Sequence, residues 1–190
     1  MTDNFNSYLE SEAVNYWRDL CFREGELRHY DKGDYFFTEG EVARYIGFIK
    51  SGTLKYVAFS EDGTEHVLGL EFTDGFVADF PFSLSGIKAR TSVIATSPCD
   101  ILCISTRSLM ERLENDAMLK DTVMKSTEAV FSTVYNRYKA LYSKSPRERY
   151  DELISRHHDL FQLFSLKDIA SFLNITPTHL SRLRKNLEGV

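Results

Sequence analysis

The sequence lacks the features that would place it in several large classes. No apolar run approaches the ~18 residues of a membrane span, so no membrane partner is expected. The N-terminus, Met-Thr-Asp-Asn-Phe-Asn, has neither a basic stretch nor an apolar core and reads as no signal peptide. The three cysteines, Cys21, Cys99 and Cys103, show no disulfide or zinc-ligand spacing. Buried thiols in a reducing cytoplasm are the expectation. No nucleophile–base or metal constellation is visible, and the adjacent His157 and His158 cannot converge from one helix, so neither an enzyme nor a metal site is expected.

What is present suits an ordinary packed core: 190 residues, 43% hydrophobic and 13% aromatic, enough for one large domain or two small ones. The net charge of −5 argues against a uniformly basic nucleic-acid binder, but the charge is unevenly spread. Residues 1–136 hold 13 Lys+Arg and 22 Asp+Glu, net −9, whereas residues 137–190 hold 10 and 6, net +4. An acidic body with a basic end fits DNA binding confined to the C-terminus, and equally a solvated basic face.

The stretch 164–185 carries the clearest pattern. Ser165 stands at an N-cap position with Asp168 in the capping-box place, and Ile169, Ala170 and Leu173 share one helical face. Asn174 tolerates the left-handed backbone of a sharp turn. Thr176 offers a second N-cap and Pro177 suits the first helical position. Leu180 and Leu183 then point inward, while Thr178, Ser181, Arg182 and Lys185 point outward. Two short helices around a tight turn form a helix-turn-helix, whose second helix enters the DNA major groove. The alternative is an ordinary helical hairpin with a solvated polar face.

Upstream, residues 5–27 read as one or two short amphipathic helices. From Leu27, recurrent glycines separate short runs rich in Val, Ile, Phe and Tyr: 35–37, 45–49, 54–59, 66–70, 91–95 and 101–104. Asp62-Gly63 marks a hairpin. Many short strands punctuated by turns predict an antiparallel sandwich or barrel. A short helix at 108–113 precedes a long one at about 116–142, roughly 40 Å in length. Leu119, Val123, Val130, Val134 and Leu141 form one apolar seam of the long helix; Met124, Phe131, Tyr135, Tyr138 and Tyr142 form a second face. Two apolar faces predict two neighbours, the strands and the same helix of a second subunit. Val123, Val130, Val134 and Leu141 are the expected homodimer contacts. Ser145-Pro146-Arg147-Glu148 reads as a capping box opening a further helix.

Gly33-Asp34, Glu39-Gly40, Ile49-Lys50-Ser51-Gly52 and Asp74-Gly75-Phe76-Val77-Ala78-Asp79, followed by the C-terminal motif, resemble the Crp/Fnr family of bacterial regulators across about residues 28–186. The resemblance implies an α+β fold: N-terminal helices (1–27), a cyclic-nucleotide-binding-like antiparallel β-roll of double-stranded β-helix, jelly-roll-like form (28–105), a short helix and a long dimerisation helix (106–143), and a helix-turn-helix domain (144–190). The sequence ends five residues after Lys185, so no β-hairpin wing is expected. The family's N-terminal cysteine cluster for an iron–sulfur centre is absent, so oxygen sensing of that kind is not expected.

In that family a cassette between two strands holds a ribose and a cyclic phosphate. The matching segment implies Arg90 and Thr91 for an anion and Asp79 for a ribose hydroxyl. This chain departs from the pattern: Ala78 replaces a glycine, Asp79 a glutamate, the intervening loop is one residue longer, and Pro81 removes a donor. These departures favour a buried Asp79–Arg90 pair, no bound effector, and weak or no cyclic AMP binding. The other reading keeps a cyclic nucleotide or another small anion as effector. For DNA, the resemblance implies Thr176 at phosphate and Thr178, His179, Ser181 and Arg182 at bases, with Arg182 suited to a bidentate guanine contact and Lys185 beside them. The expected function is a cytoplasmic, dimeric transcription regulator on double-stranded DNA, with RNA polymerase as a further partner. The alternatives are a ligand-binding module controlling a protein partner, and a ligand-independent DNA-binding protein with an empty sensor.

Overall fold

The computed structural model describes residues 5–188. The signal-peptide reading of residues 1–4 and the wing reading beyond 188 lie outside the described residues.

A 3-10 turn (Ser7–Glu10) and helix α1 (Ala13–Glu24) precede eight strands: β1 (Glu26–Tyr30), β2 (Tyr35–Phe37), β3 (Tyr45–Ser51), β4 (Leu54–Phe59), β5 (Glu65–Glu71), β6 (Phe76–Val77), β7 (Ser92–Ala95) and β8 (Cys99–Ser105). The strands form two antiparallel four-stranded sheets, ordered β1-β8-β3-β6 and β2-β7-β4-β5. Their inner faces meet in a core of Phe36, Ile49, Leu54, Val77, Val93 and Ile101. This is the expected roll. Its first strand opens at Glu26, ahead of the expected boundary at 28, because Gly25 ends α1 in an extended conformation.

Gly52 turns β3 into β4 with φ +96, and a Cβ there would lie 2.4 Å from the Pro98 carbonyl oxygen. Opposite Tyr56, Gly69 sits beside a bulge: Tyr56 pairs with Gly69, Val57 with Val67, and Leu68 has no counterpart. A Cβ on Gly69 would press on the Tyr56 ring at 3.2 Å, so the glycine makes room for that ring.

Helices α2 (Thr106–Leu113) and α3 (Ala117–Ser143) follow. Asp116 caps α3 by accepting the Leu119 N–H at 2.9 Å. The helix stops at Ser143, and Lys144 and Ser145 are extended, as a residue before proline requires. The outer face of the first sheet is covered by α1, α2 and the start of α3, with Trp17, Leu20, Ile46, Phe48, Leu109 and Leu119 packed together.

The C-terminal helices are α4 (Pro146–Arg156), α5 (Leu160–Leu163), α6 (Leu166–Phe172) and α7 (Pro177–Glu188). Ser145 and Glu148 form a complete capping box at α4. Asn174 adopts φ +53 between α6 and α7. These helices pack directly on the second sheet: Val57, Val67, Leu70 and Ile94 share one buried cluster with Leu153, Ile169, Leu173 and Leu180. Polar ties cross the same junction. The Val67 N–H donates to Ser171 Oγ at 2.9 Å, and Lys55 Nζ reaches Glu65 Oε1 and Asp168 Oδ1, each at 2.7 Å.

The long helix departs from the expected seam. Leu119 is fully buried, Val123 packs against the Trp17 cluster, and Val130 lines the cavity described below. Val123 and Val130 therefore turn toward their own chain. Val134 and Leu141 remain exposed, with Met124, Phe131, Tyr135, Tyr138 and Tyr142. The inward stripe is Thr122, Ser126, Val130, Thr133 and Arg137, which follows the helical period with mostly polar residues.

Candidate functional site

A cavity of about 410 Å³ lies where the roll meets α3 and the N-terminal segment. That size falls within the roughly 300–1,000 Å³ typical of small-molecule sites. Val14 and Trp17 of α1 form one wall. Tyr56, Gly69 and Glu71 of the second sheet, with Ser126, Val130, Thr133 and Arg137 of α3, form others. The cassette residues Asp79, Phe80, Phe82, Arg90 and Thr91 complete it.

All three expected effector residues thus line one space, but the expected internal pair does not form. Arg90 is exposed and its guanidinium stacks over the Phe82 ring at 5.3 Å. Among the described residues no carboxylate lies within 4.0 Å of it. Asp79 is buried and its Oδ2 has no hydrogen-bond partner among the described residues. Burial pushes the Asp79 carboxyl up, and the charge on Arg90 opposes this only in part. The longer loop, with its 3-10 turn Phe82–Ser85, carries Arg90 to the rim, where an aromatic face and water solvate it. The result is an open cavity with an unsatisfied buried acceptor and a cation at its edge.

Tyr56 accounts for another departure. Its hydroxyl accepts from the Ala78 N–H and donates to the Ala78 carbonyl, both at 3.0 Å. Both backbone groups at the position where the family has its glycine are therefore occupied from within the chain. Burial pushes the Tyr56 hydroxyl well up, so it remains a neutral donor.

The inner end of the cavity holds residues that sequence reasoning missed. Glu71 Oε2 accepts from Asn6 Nδ2 at 2.8 Å and from the Tyr8 hydroxyl at 2.9 Å. Burial pushes Glu71 up to about 8, against hydrogen bonds from Tyr8 and Asn6 and the charge on Arg137. Arg137 donates to Asn6 Oδ1 and lies over the rings of Phe5 and Phe172, at 5.5 and 5.1 Å. Burial pulls its pKa below the usual arginine value, opposed by Glu71 and Tyr8. The spacing of Ser126, Val130, Thr133 and Arg137 on one helical face is the signal that could have found this wall.

The second candidate surface is α7. Thr176 Oγ1 accepts the His179 N–H at 3.2 Å and caps the helix. Leu180 and Leu183 are buried. Thr176, Thr178, His179, Arg182 and Lys185 are exposed and Ser181 is partly so, which places all six expected DNA residues at or near the surface. Arg184 instead folds back over the Phe161 ring at 4.3 Å.

Residues 27–116 match the model of the cyclic nucleotide-binding domain. Solved structures extend the likeness to nearly the whole chain. FixK2 from Bradyrhizobium japonicum is 18% identical, with 86% of this chain and 84% of that chain covered and a TM-score of 0.75. TTHB099, a CRP-family transcriptional regulator from Thermus thermophilus, is 15% identical over 85% of this chain and 84% of that chain, with a TM-score of 0.63. The regulator CLP of Xanthomonas campestris, described as c-di-GMP responsive, is 17% identical over 93% of this chain and 92% of that chain, with a TM-score of 0.63. No curated protein sequence matches. The β-roll, long helix and helix-turn-helix of this chain therefore share the fold of solved Crp/Fnr-type regulators, and the roll is where the domain model matches.

Proposed function

We propose that the chain is a dimeric DNA-binding transcription regulator whose cyclic nucleotide-binding domain takes a small anionic effector. The observation that carries the DNA reading is the two-sided α7: Leu180 and Leu183 are locked into the core while the Thr178–Arg182–Lys185 side stands free. A recognition helix needs both, since a rigid back fixes the angle at which a polar front enters the groove. Arg182 supplies a fork for guanine O6 and N7, and Lys185 a charge for phosphate. The exposed Phe131, Tyr138 and Leu141 of α3 support a second copy of the chain as the neighbour, which sets two recognition helices on one DNA face. RNA polymerase belongs to this reading as the partner through which a promoter-bound regulator acts.

Support for an effector comes from Asp79 and Arg90. A buried carboxylate oxygen without a donor is costly, and a ligand hydroxyl would satisfy it while its acidic group meets Arg90 and Thr91. The pairing that would have made a ligand unnecessary is not formed, so the bound-effector reading takes precedence over an empty roll. The test is selection from a random DNA pool, with and without cyclic AMP or cyclic GMP. Enrichment of a two-fold symmetric site is expected; enrichment of no sequence under any condition would overturn the proposal.

A further inference from the structure

We propose that Arg137 is a second anion-binding pole inside the cavity, so that the effector is an organic diacid with an apolar body: one acidic group meets Arg90 at the rim and the other meets Arg137 on α3. This rests on the reading of the cavity as the effector site and specifies what it holds.

The geometry gives Arg137 unused capacity. A guanidinium has five N–H donors, and the hydrogen bond of this one among the described residues goes to a neutral acceptor, Asn6 Oδ1. No carboxylate lies within 4.0 Å of it among the described residues. The carboxylate that acts on it, Glu71, already accepts at Oε2 from Asn6 and Tyr8. Phe5 and Phe172 cover the guanidinium but do not cancel its charge. Burial favours the protonated form of Glu71, so Glu71 offsets the charge on Arg137 only in part. A cation held out of water without a counter-ion is unfavourable, and an anion entering the cavity relieves it.

The rest of the cavity selects the rest of the ligand. Trp17, Phe76, Phe80 and Val130 also line it, and such side chains bury a flat or aliphatic body. A ligand with a single charge satisfies one arginine only. A diacid satisfies both, and its acidic groups gain charge-assisted bonds at each end.

Titration calorimetry on the full chain with two matched pairs tests this: benzoate against terephthalate, and biphenyl-4-carboxylate against biphenyl-4,4′-dicarboxylate, with cyclic AMP alongside. Wild type should bind at least one diacid roughly tenfold or more tighter than its mono-acid, the worth of one charge-assisted contact. Arg137→Met should erase that margin and leave mono-acid binding in place. Arg137→Lys keeps the cation, should retain part of the margin, and guards against misfolding of the Met variant; thermal melts of both confirm folding. A diacid margin that survives in folded Arg137→Met overturns the inference. So do equal affinities for mono-acid and diacid in wild type. Binding of cyclic AMP that is lost in Arg90→Leu, with no acid bound, sinks the Arg137 pole and leaves the cavity reading standing. Binding of none of the five probes to wild type brings down both.

Discussion

Lys55 Nζ lies 2.7 Å from Asp168 Oδ1, so a strand of the roll is tied by charge to the first helix of the helix-turn-helix. Glu65 Oε1 sits 2.7 Å from the same ammonium. All three side chains are largely buried, between 11% and 21% exposed. Burial works to lower the pKa of Lys55, but hydrogen bonds to Asp168 and Glu65 outweigh it and hold the group above its ordinary value. Asp168 is held low by the same contacts with Lys55 and Ser165, against burial. Lys55→Met leaves two carboxylates facing each other without the ammonium, and should cost roughly 3 kcal/mol, the scale for removing one partner of a buried pair. Urea melts of the two proteins check this; superimposable curves would show that the tie is energetically idle.

Substitutions on α7 should separate base readout from charge. Arg182→Ala is expected to cost about 1–3 kcal/mol at the selected site and to relax discrimination there. Lys185→Ala should weaken binding to all sequences alike and reduce the salt slope by about 1. Fluorescence anisotropy across a salt series distinguishes them.

The dimer should respond to one side of α3 and not the other. Phe131→Asp places a charge on the exposed stripe, where a partner helix would bury it, and light scattering should report a monomer. Val130→Asp, on the cavity wall, should leave the dimer intact while disturbing effector binding. A wild-type monomer at tens of micromolar would refute the dimer.

Glu71 should make stability pH-dependent in an unusual direction. Its native pKa is raised from 4.5 to about 8, so the folded state holds a proton that the unfolded chain releases. The stabilisation is complete below 4.5 and declines as pH rises through the window to about 8. The groups facing it are the Tyr8 and Tyr56 hydroxyls and Arg137, none of which loses its proton in that window. Glu71→Gln keeps acceptors for Asn6 and Tyr8 and removes the titration. Thermal melts at about pH 5 and pH 8 should show a larger loss in wild type than in the variant.

Much of this was legible locally. The caps at Ser145, Ser165 and Thr176, the left-handed Asn174 and the glycine-punctuated strands are short-range effects that a few neighbouring residues decide. The strand Glu26–Tyr30 starts inside the segment that reads as helical up to residue 27, because a polar edge strand carries little apolar signal. The seam on α3 was assigned to one partner because period alone does not say which valine meets its own chain. Asp79 and Arg90 were expected to pair, yet their separation depends on how the longer loop folds over Phe82. Arg137, Glu71 and Asn6 converge from α3, β5 and the N-terminal segment, a meeting that no local pattern encodes.

The buried cluster shared by Val57, Val67, Leu70 and Ile94 of the roll with Leu153, Ile169, Leu173 and Leu180 of the C-terminal helices bears on how the chain melts. A cut near Lys144 would bare both sides of that cluster at once. The roll and the C-terminal helices are therefore not beads on a string, each with its own melting point. They should melt in one calorimetric transition, and damage on either side of the junction should lower the temperature at which both are lost.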